Sequence, residues 1–164
     1  MSQHALSALL SPSAVVVVGG SDRPGSVGAV VVSNLINGGF AGAIHVVNPR
    51  PLALDGVKCW TDLADLPTDI DLAVVASPAR TVPDVIAGLG ERGVKIAMVI
   101  TAGLTEENGL RPAMLAAAKA SGLRIVGPNG LGLLAPHARL NASFTRGDAT
   151  PGRLAFISQS GALI

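Results

Sequence analysis

The run Gly19-Gly20-Ser21-Asp22-Arg23-Pro24-Gly25-Ser26-Val27-Gly28 is where this sequence concentrates residues able to do chemistry. It follows the apolar stretch Ala14 to Val18 and precedes Val27, Val30, Val31, Leu35 and Ile36, whose spacing is close to helical. A glycine turn between a strand and a helix brings backbone N–H groups and the positive end of a helix close to an anion. Gly19, Gly25 and Gly28 allow that approach, Ser21 and Ser26 add hydroxyl donors, and Arg23 adds a cation. Pro24 and Val27 complete the turn. Glycines also serve simply to reverse a chain, but the flanking elements and Arg23 favour a phosphate as the occupant.

The residues that end the second apolar strand discriminate among nucleotides. A site for NAD places a carboxylate about 20 residues after the glycine turn, where it accepts hydrogen bonds from ribose hydroxyls. Here the order is Val47-Asn48-Pro49-Arg50, with no carboxylate, and Asp55 lies too far along to replace one. Arg50, after Asn48 at the strand end, suits a ligand with an additional phosphate, either the 2′-phosphate of NADP or the 3′-phosphate of coenzyme A, or else is a solvated loop arginine. Ser77-Pro78 and Pro128-Asn129-Gly130 end later strands and border the same crevice. Proline ends strands and Asn-Gly forms turns, so Asn129 reads first as a structural residue and second as a ligand contact.

Conventional catalytic sets are missing. His4 falls in an expected unstructured amino-terminal tail, His45 within the second strand and His137 in a late loop, none beside a nucleophile and carboxylate with triad logic. No ligand pair has metal-site spacing, so no metal is expected.

The elements that must position these residues alternate. Strands are expected at Ala14 to Val18, Ala43 to Val47, Leu72 to Ala76, Ile96 to Ile100 and Arg124 to Val126, with a short extended piece at Gly56 to Trp60. Helical segments follow at Val82 to Arg92 and between Gly109 and Ser121, with a turn of helix around Asp62 to Leu66, and glycines 38, 39, 93 and 122 stop helices. This predicts an α/β fold, an open parallel Rossmann-like sheet with helices on both faces, occupying residues 1–150. Leu133-Leu134 and Leu140 to Phe144 suggest a closing hairpin. After Pro151-Gly152, Arg153 to Ser158 reads as a strand, either the first of a second, flavodoxin-like domain (151–164) or an edge strand of the first domain.

Composition agrees. The chain has 164 residues, 49% of them hydrophobic, yet one Trp, three Phe and no Tyr, so its core must be aliphatic. No apolar run approaches the roughly 20 residues that span a bilayer, the start lacks the features of a secretory signal, and the single cysteine cannot form an internal disulfide. A cytoplasmic protein is expected, away from membranes. The net charge of +1 offers no field for nucleic acid.

Residues Val15 to Gly28, Val47 to Pro49, Cys59-Trp60 with Leu63 to Pro67, Asp71 to Pro78, Ile100 to Gly103, Gly127 to Gly132, Leu140 to Phe144 and Phe156 to Leu163 together resemble the CoA-binding domain of ADP-forming acetyl-CoA synthetases. A more distant resemblance is to the alpha subunit of succinyl-CoA synthetase. These resemblances imply coenzyme A as ligand, with Pro24, Gly25, Ser26 and Val27 against its phosphates and Ile100, Thr101 and Ala102 along the pantetheine. Arg50 stands where the succinyl enzyme has a lysine. Ala102 departs from that enzyme's glutamate, and Gly130 from a cysteine frequent in the ADP-forming relatives. Ser158-Gln159-Ser160-Gly161 resembles the phosphate turn that opens the second domain, so Ser158, Ser160 and Gly161 are candidate phosphate contacts. The implied reaction interconverts acyl-CoA, ADP and phosphate with acid, ATP and CoA through a phosphohistidine outside this chain. The implied partners are CoA or acyl-CoA and the remaining ligase domains or an ATP-grasp subunit. A stand-alone CoA-binding module or an acetyltransferase fusion are the alternatives. An NADP oxidoreductase is disfavoured because a chain without Tyr has no catalytic tyrosine.

Overall fold

A computed structural model describes residues 3–158. Its framework is a parallel sheet of six strands: β1 (Ala14–Val18), β2 (Ala43–Val47), β3 (Lys58–Trp60), β4 (Leu72–Val75), β5 (Ile96–Val99) and β6 (Arg124–Val126). Their spatial order is β3-β2-β1-β4-β5-β6. The chain therefore builds outward from β1 in one direction, then returns to lay β4 against β1 and build outward in the other. Such an order leaves a crevice beyond the carboxyl ends of β1 and β4, where the connections diverge.

The central strands are apolar throughout because both sides of the sheet are covered. One face packs Val15, Val17, Val46, Val74 and Met98 beneath α2 (Val27–Asn37), through its Val31, Val32 and Leu35. The other packs Val16, Val18, Val75 and Val99 beneath α3 (Val82–Glu91) and α4 (Leu110–Ser121). Alternate residues of each strand thus serve opposite cores. The expected hairpin is present as β7 (Gly132–Ala135) and β8 (Leu140–Ser143), paired antiparallel. It lies on the α2 side, where Asn34 Nδ2 donates to the carbonyls of Ser143 (2.9 Å) and Thr145 (3.0 Å).

At the amino ends of the strands, away from the crevice, Asp71 ties three elements together. One oxygen accepts from the Ser13 amide (2.9 Å) and hydroxyl (2.5 Å), and the other from Lys95 Nζ (2.6 Å). Burial works to raise the Asp71 pKa; the hydrogen bonds from Lys95 and Ser13, with the Lys95 charge, outweigh it and hold the carboxyl below its ordinary value.

Two expectations are corrected. His4 does not lie in an unstructured tail but in a helix, α1 (Gln3–Leu10), which the sheet makes worthwhile by burying Ala8 in the core on the α2 side. Residues 153–158 form no strand: Leu154, Phe156 and Ile157 are exposed, and the segment adds no edge to the sheet. A strand requires a neighbour to satisfy its backbone, and the described residues provide none here. Ser160 and Gly161 lie outside the described residues.

Candidate functional site

The crevice at the carboxyl ends of the sheet is a cleft of about 1110 Å³. Val18, Val47, Ala76 and Ile100, at the ends of four successive strands in space, form part of its lining, so the strand order itself creates the site.

Its first wall is the glycine turn. Ser26 caps α2: its Oγ accepts from the Ala29 amide (3.3 Å) and donates to the Arg23 carbonyl (2.9 Å), closing the turn on itself. The amides of Val27 and Gly28, the first two of α2, have no acceptor among the described residues, and both residues line the cleft. Unpaired amides at a helix start are anion donors. Two glycines here have different duties. A side chain at Gly28 would run into the Gly19 carbonyl, whereas one at Gly25, where φ is +75°, would meet nothing within 4 Å. Gly28 allows α2 to sit against β1, and Gly25 keeps the cleft floor open.

The other walls come from the ends of β2, β4 and β5. Asn48 Nδ2 donates to the Gly20 carbonyl (2.8 Å) and its Oδ1 accepts from the Arg50 amide (2.9 Å), so this side chain ties the β2 end to the glycine turn. Ser77 is buried beside Thr81, their hydroxyls 3.1 Å apart. Thr101 Oγ1 lies 2.8 Å from the Ser77 carbonyl and holds the ends of β4 and β5 together. Asn129 has a left-handed φ of 59°, and its amide donates to the Thr101 carbonyl (3.1 Å). Its exposed side chain has no partner among the described residues.

Of the candidate cofactor contacts, Gly19, Ser21, Arg23, Gly25, Ser26, Val27, Gly28, Asn48, Ser77, Pro78, Ile100, Thr101, Ala102 and Asn129 line the cleft. Pro24 and Arg50 do not. Pro24 is exposed on the outside of the turn, and the Arg50 guanidinium lies 3.0 Å from Asp22 Oδ1. Ser158 lies apart from the lining. Sequence reasoning missed Thr61, Asp62 and Leu63 after β3, Arg80, Thr81 and Val85 after β4, and Phe144 after β8. A signal for Arg80 existed: it follows Ser77-Pro78 by two residues, in the 3-10 turn Ala79–Thr81.

The histidines have other roles. His45 is buried, and its Nδ1 accepts from Trp60 Nε1 (3.1 Å), across from the next strand. Desolvation by burial, reinforced by the charge of Lys58 and partly opposed by Asp69, lowers its pKa from the usual 6.5. An unfolded chain takes up this proton near pH 6.5 while the folded one resists it, so stability must fall as pH drops below that value. The midpoint of thermal unfolding should decrease from about pH 7 to about pH 5, and His45→Gln should flatten that slope. An unchanged slope in the variant would place the titrating group elsewhere. His137 Nε2 lies 3.3 Å from the Gly152 carbonyl. Among the described residues no group of three or more His, Cys, Asp or Glu side chains is placed to hold a metal, and no helix is long and apolar enough to cross a membrane.

Comparison with known proteins finds CoA ligases among the relatives of this chain. The alpha subunit of ADP-forming acetate–CoA ligase I from Pyrococcus furiosus is 39% identical over 166 residues, covering 96% of this chain and 36% of the relative. ADP-forming acetate–CoA ligase from Methanocaldococcus jannaschii is 39% identical over 155 residues, covering 93% and 22% respectively. The solved structure of Candidatus Korarchaeum cryptofilum dinucleotide-forming acetyl-coenzyme A synthetase 1, in complex with phosphate and ADP, superposes with a TM-score of 0.89 at 42% identity. That match covers 98% of this chain and 35% of the synthetase. The chain thus spans roughly a third or less of the relatives it matches. A family model described as the CoA binding domain matches residues 13–136, a span that holds the whole six-stranded sheet and all of the cleft lining except Phe144. On the strength of that match, the chain belongs to the CoA-binding domain family.

Proposed function

We propose that this chain binds coenzyme A in the cleft, with the diphosphate over the turn from Arg23 to Gly28, as the CoA-holding portion of an ADP-forming acyl-CoA ligase. The observation that carries the reading is the glycine wall: unpaired amides of Val27 and Gly28, a cation at Arg23 and open space above Gly25 at one helix start. That combination suits a diphosphate. The crevice then leads one way toward Pro49, Thr61 and Leu63 for the adenosine and the other way toward Ile100, Thr101 and Ala102 for the pantetheine.

The chain's own contribution is to bind and orient CoA. Thr101 and Asn48 spend their side chains on the walls and set the width of the cleft, while Asn129 offers a polar group at the pantetheine end. His45 is committed to Trp60 and His137 lies against the Gly152 carbonyl, in keeping with a phosphohistidine that the resemblance implies to be on the following ligase domain. We assign residues 151–164 to the start of such a further domain, in keeping with the exposed Leu154, Phe156 and Ile157. A cytoplasmic location is in keeping with the single cysteine.

Calorimetric titration of the chain with CoA, dephospho-CoA and NADP tests the reading. CoA should bind, and NADP should bind more weakly, since the cation at the β2 end that could meet a 2′-phosphate, Arg50, is paired with Asp22. Absence of CoA binding, or tighter binding of NADP, would overturn it.

A further inference from the structure

We propose that Arg80 is the specificity residue of the cleft, reading the phosphate on the ribose that distinguishes CoA from dephospho-CoA. This rests on the CoA reading above and moves the role from the residue that the sequence pointed to.

The argument is one of free charge. Arg50, at the β2 end, has its guanidinium 3.0 Å from Asp22 and does not line the cleft. Two other arginines do line it, Arg23 and Arg80, and neither forms an ion pair or side-chain hydrogen bond among the described residues. They reach it from opposite sides of the β1–β4 divide. Arg23 belongs to the glycine turn after β1, where the diphosphate is placed. Arg80 belongs to the 3-10 turn Ala79–Thr81 after β4, which leads straight into α3, and α3 packs against Leu63 on the side given to the adenosine.

With Arg23 beside the diphosphate, a third phosphate on the ribose needs a separate cation. It also needs one strong enough to offset Asp62, the one carboxylate in the cleft lining, whose Oδ1 is held by the Ala64 amide (2.9 Å). Of the cations that line the cleft, Arg80 is the remaining one unpaired among the described residues, on a flexible stem able to meet a ribose phosphate with a forked pair of hydrogen bonds. Because Arg80 is exposed and its side chain has no partner among the described residues, its substitution leaves the framework intact.

The test is titration of the full chain and its Arg80→Gln and Arg50→Gln variants with CoA and dephospho-CoA, with thermal unfolding as a folding control. Arg80→Gln should weaken CoA by about ten-fold or more and dephospho-CoA by less than about two-fold. Arg50→Gln should change both ligands by a common factor. In the parent the preference for CoA should shrink as salt is raised, and in Arg80→Gln that salt dependence should be gone. Equal losses for both ligands in Arg80→Gln, or loss of the preference in Arg50→Gln instead, would overturn the assignment. A parent that binds CoA and dephospho-CoA equally would overturn it while leaving the CoA reading standing. A parent that binds neither would end both.

Discussion

Gly28→Ala should lose both stability and CoA binding. The new methyl group would overlap the Gly19 carbonyl and lie 3.1 Å from Gly20 Cα, which are backbone atoms of the strand-to-helix turn with no rotamer to escape into. Relief requires α2 to move away from β1, and α2 buries Val31, Val32 and Leu35 on that face of the sheet. Overpacking of a well-filled interior costs about 1–3 kcal/mol, and contact with backbone places this case at the upper end. For a chain of this size the unfolding midpoint should fall by about 6–12 °C. CoA titration should show the larger effect, because displacing the start of α2 moves the Val27 and Gly28 amides off the phosphate position. A variant with the parent's melting temperature would mean that the β1–α2 approach is looser than these contacts require.

Gly25→Val should do the reverse, sparing the fold and removing the ligand. The backbone at Gly25 has φ +75°, which costs a side-chain-bearing residue about 1–2 kcal/mol, but nothing of the protein stands within 4 Å of the new Cβ. The valine methyls would instead enter the space assigned to the diphosphate. Loss of two or more charge-assisted hydrogen bonds, each contributing about 1.5–3 kcal/mol, predicts a drop in CoA affinity of about 100-fold or more. Gly25→Ala also carries a backbone penalty, smaller than that of the β-branched valine, with far less bulk, so their melting temperatures report strain and the remaining difference in CoA affinity reports steric exclusion. CoA binding by folded Gly25→Val at the parent's affinity would remove the diphosphate from this turn. The two glycines also form a matched pair: position 28 reports on packing beneath the site and position 25 on the space above it.

The division between what sequence and tertiary structure decide follows the range of the forces involved. Ala14–Val18, Ala43–Val47 and Arg124–Val126 appear in the structure with the bounds that the apolar runs predict, because a strand's pattern and its flanking turns are local. The helix stops near Gly38, Gly93 and Gly122 are legible for the same reason. The phosphate-like character of the Gly19 to Gly28 turn was legible too, since it needs only a strand, glycines and a helix in that order. The segment from Arg153 has a strand's local pattern, and it forms none because pairing is not local. Likewise α1 has a modest helical sequence that becomes worthwhile only when Ala8 finds the core beneath it. Arg50 and Arg80 make the same point within the site. Nothing local in Val47-Asn48-Pro49-Arg50 announces that its guanidinium will pair with Asp22, 28 positions away, on the neighbouring loop. Nor does Ser77-Pro78-Ala79-Arg80 announce that β4 will lie against β1 and bring Arg80 into the same cleft as Arg23. The sequence by itself determined the elements and the kind of ligand their first turn would favour; the long-range pairing of β2 and of β4 with β1 decided which cations remain free to meet it.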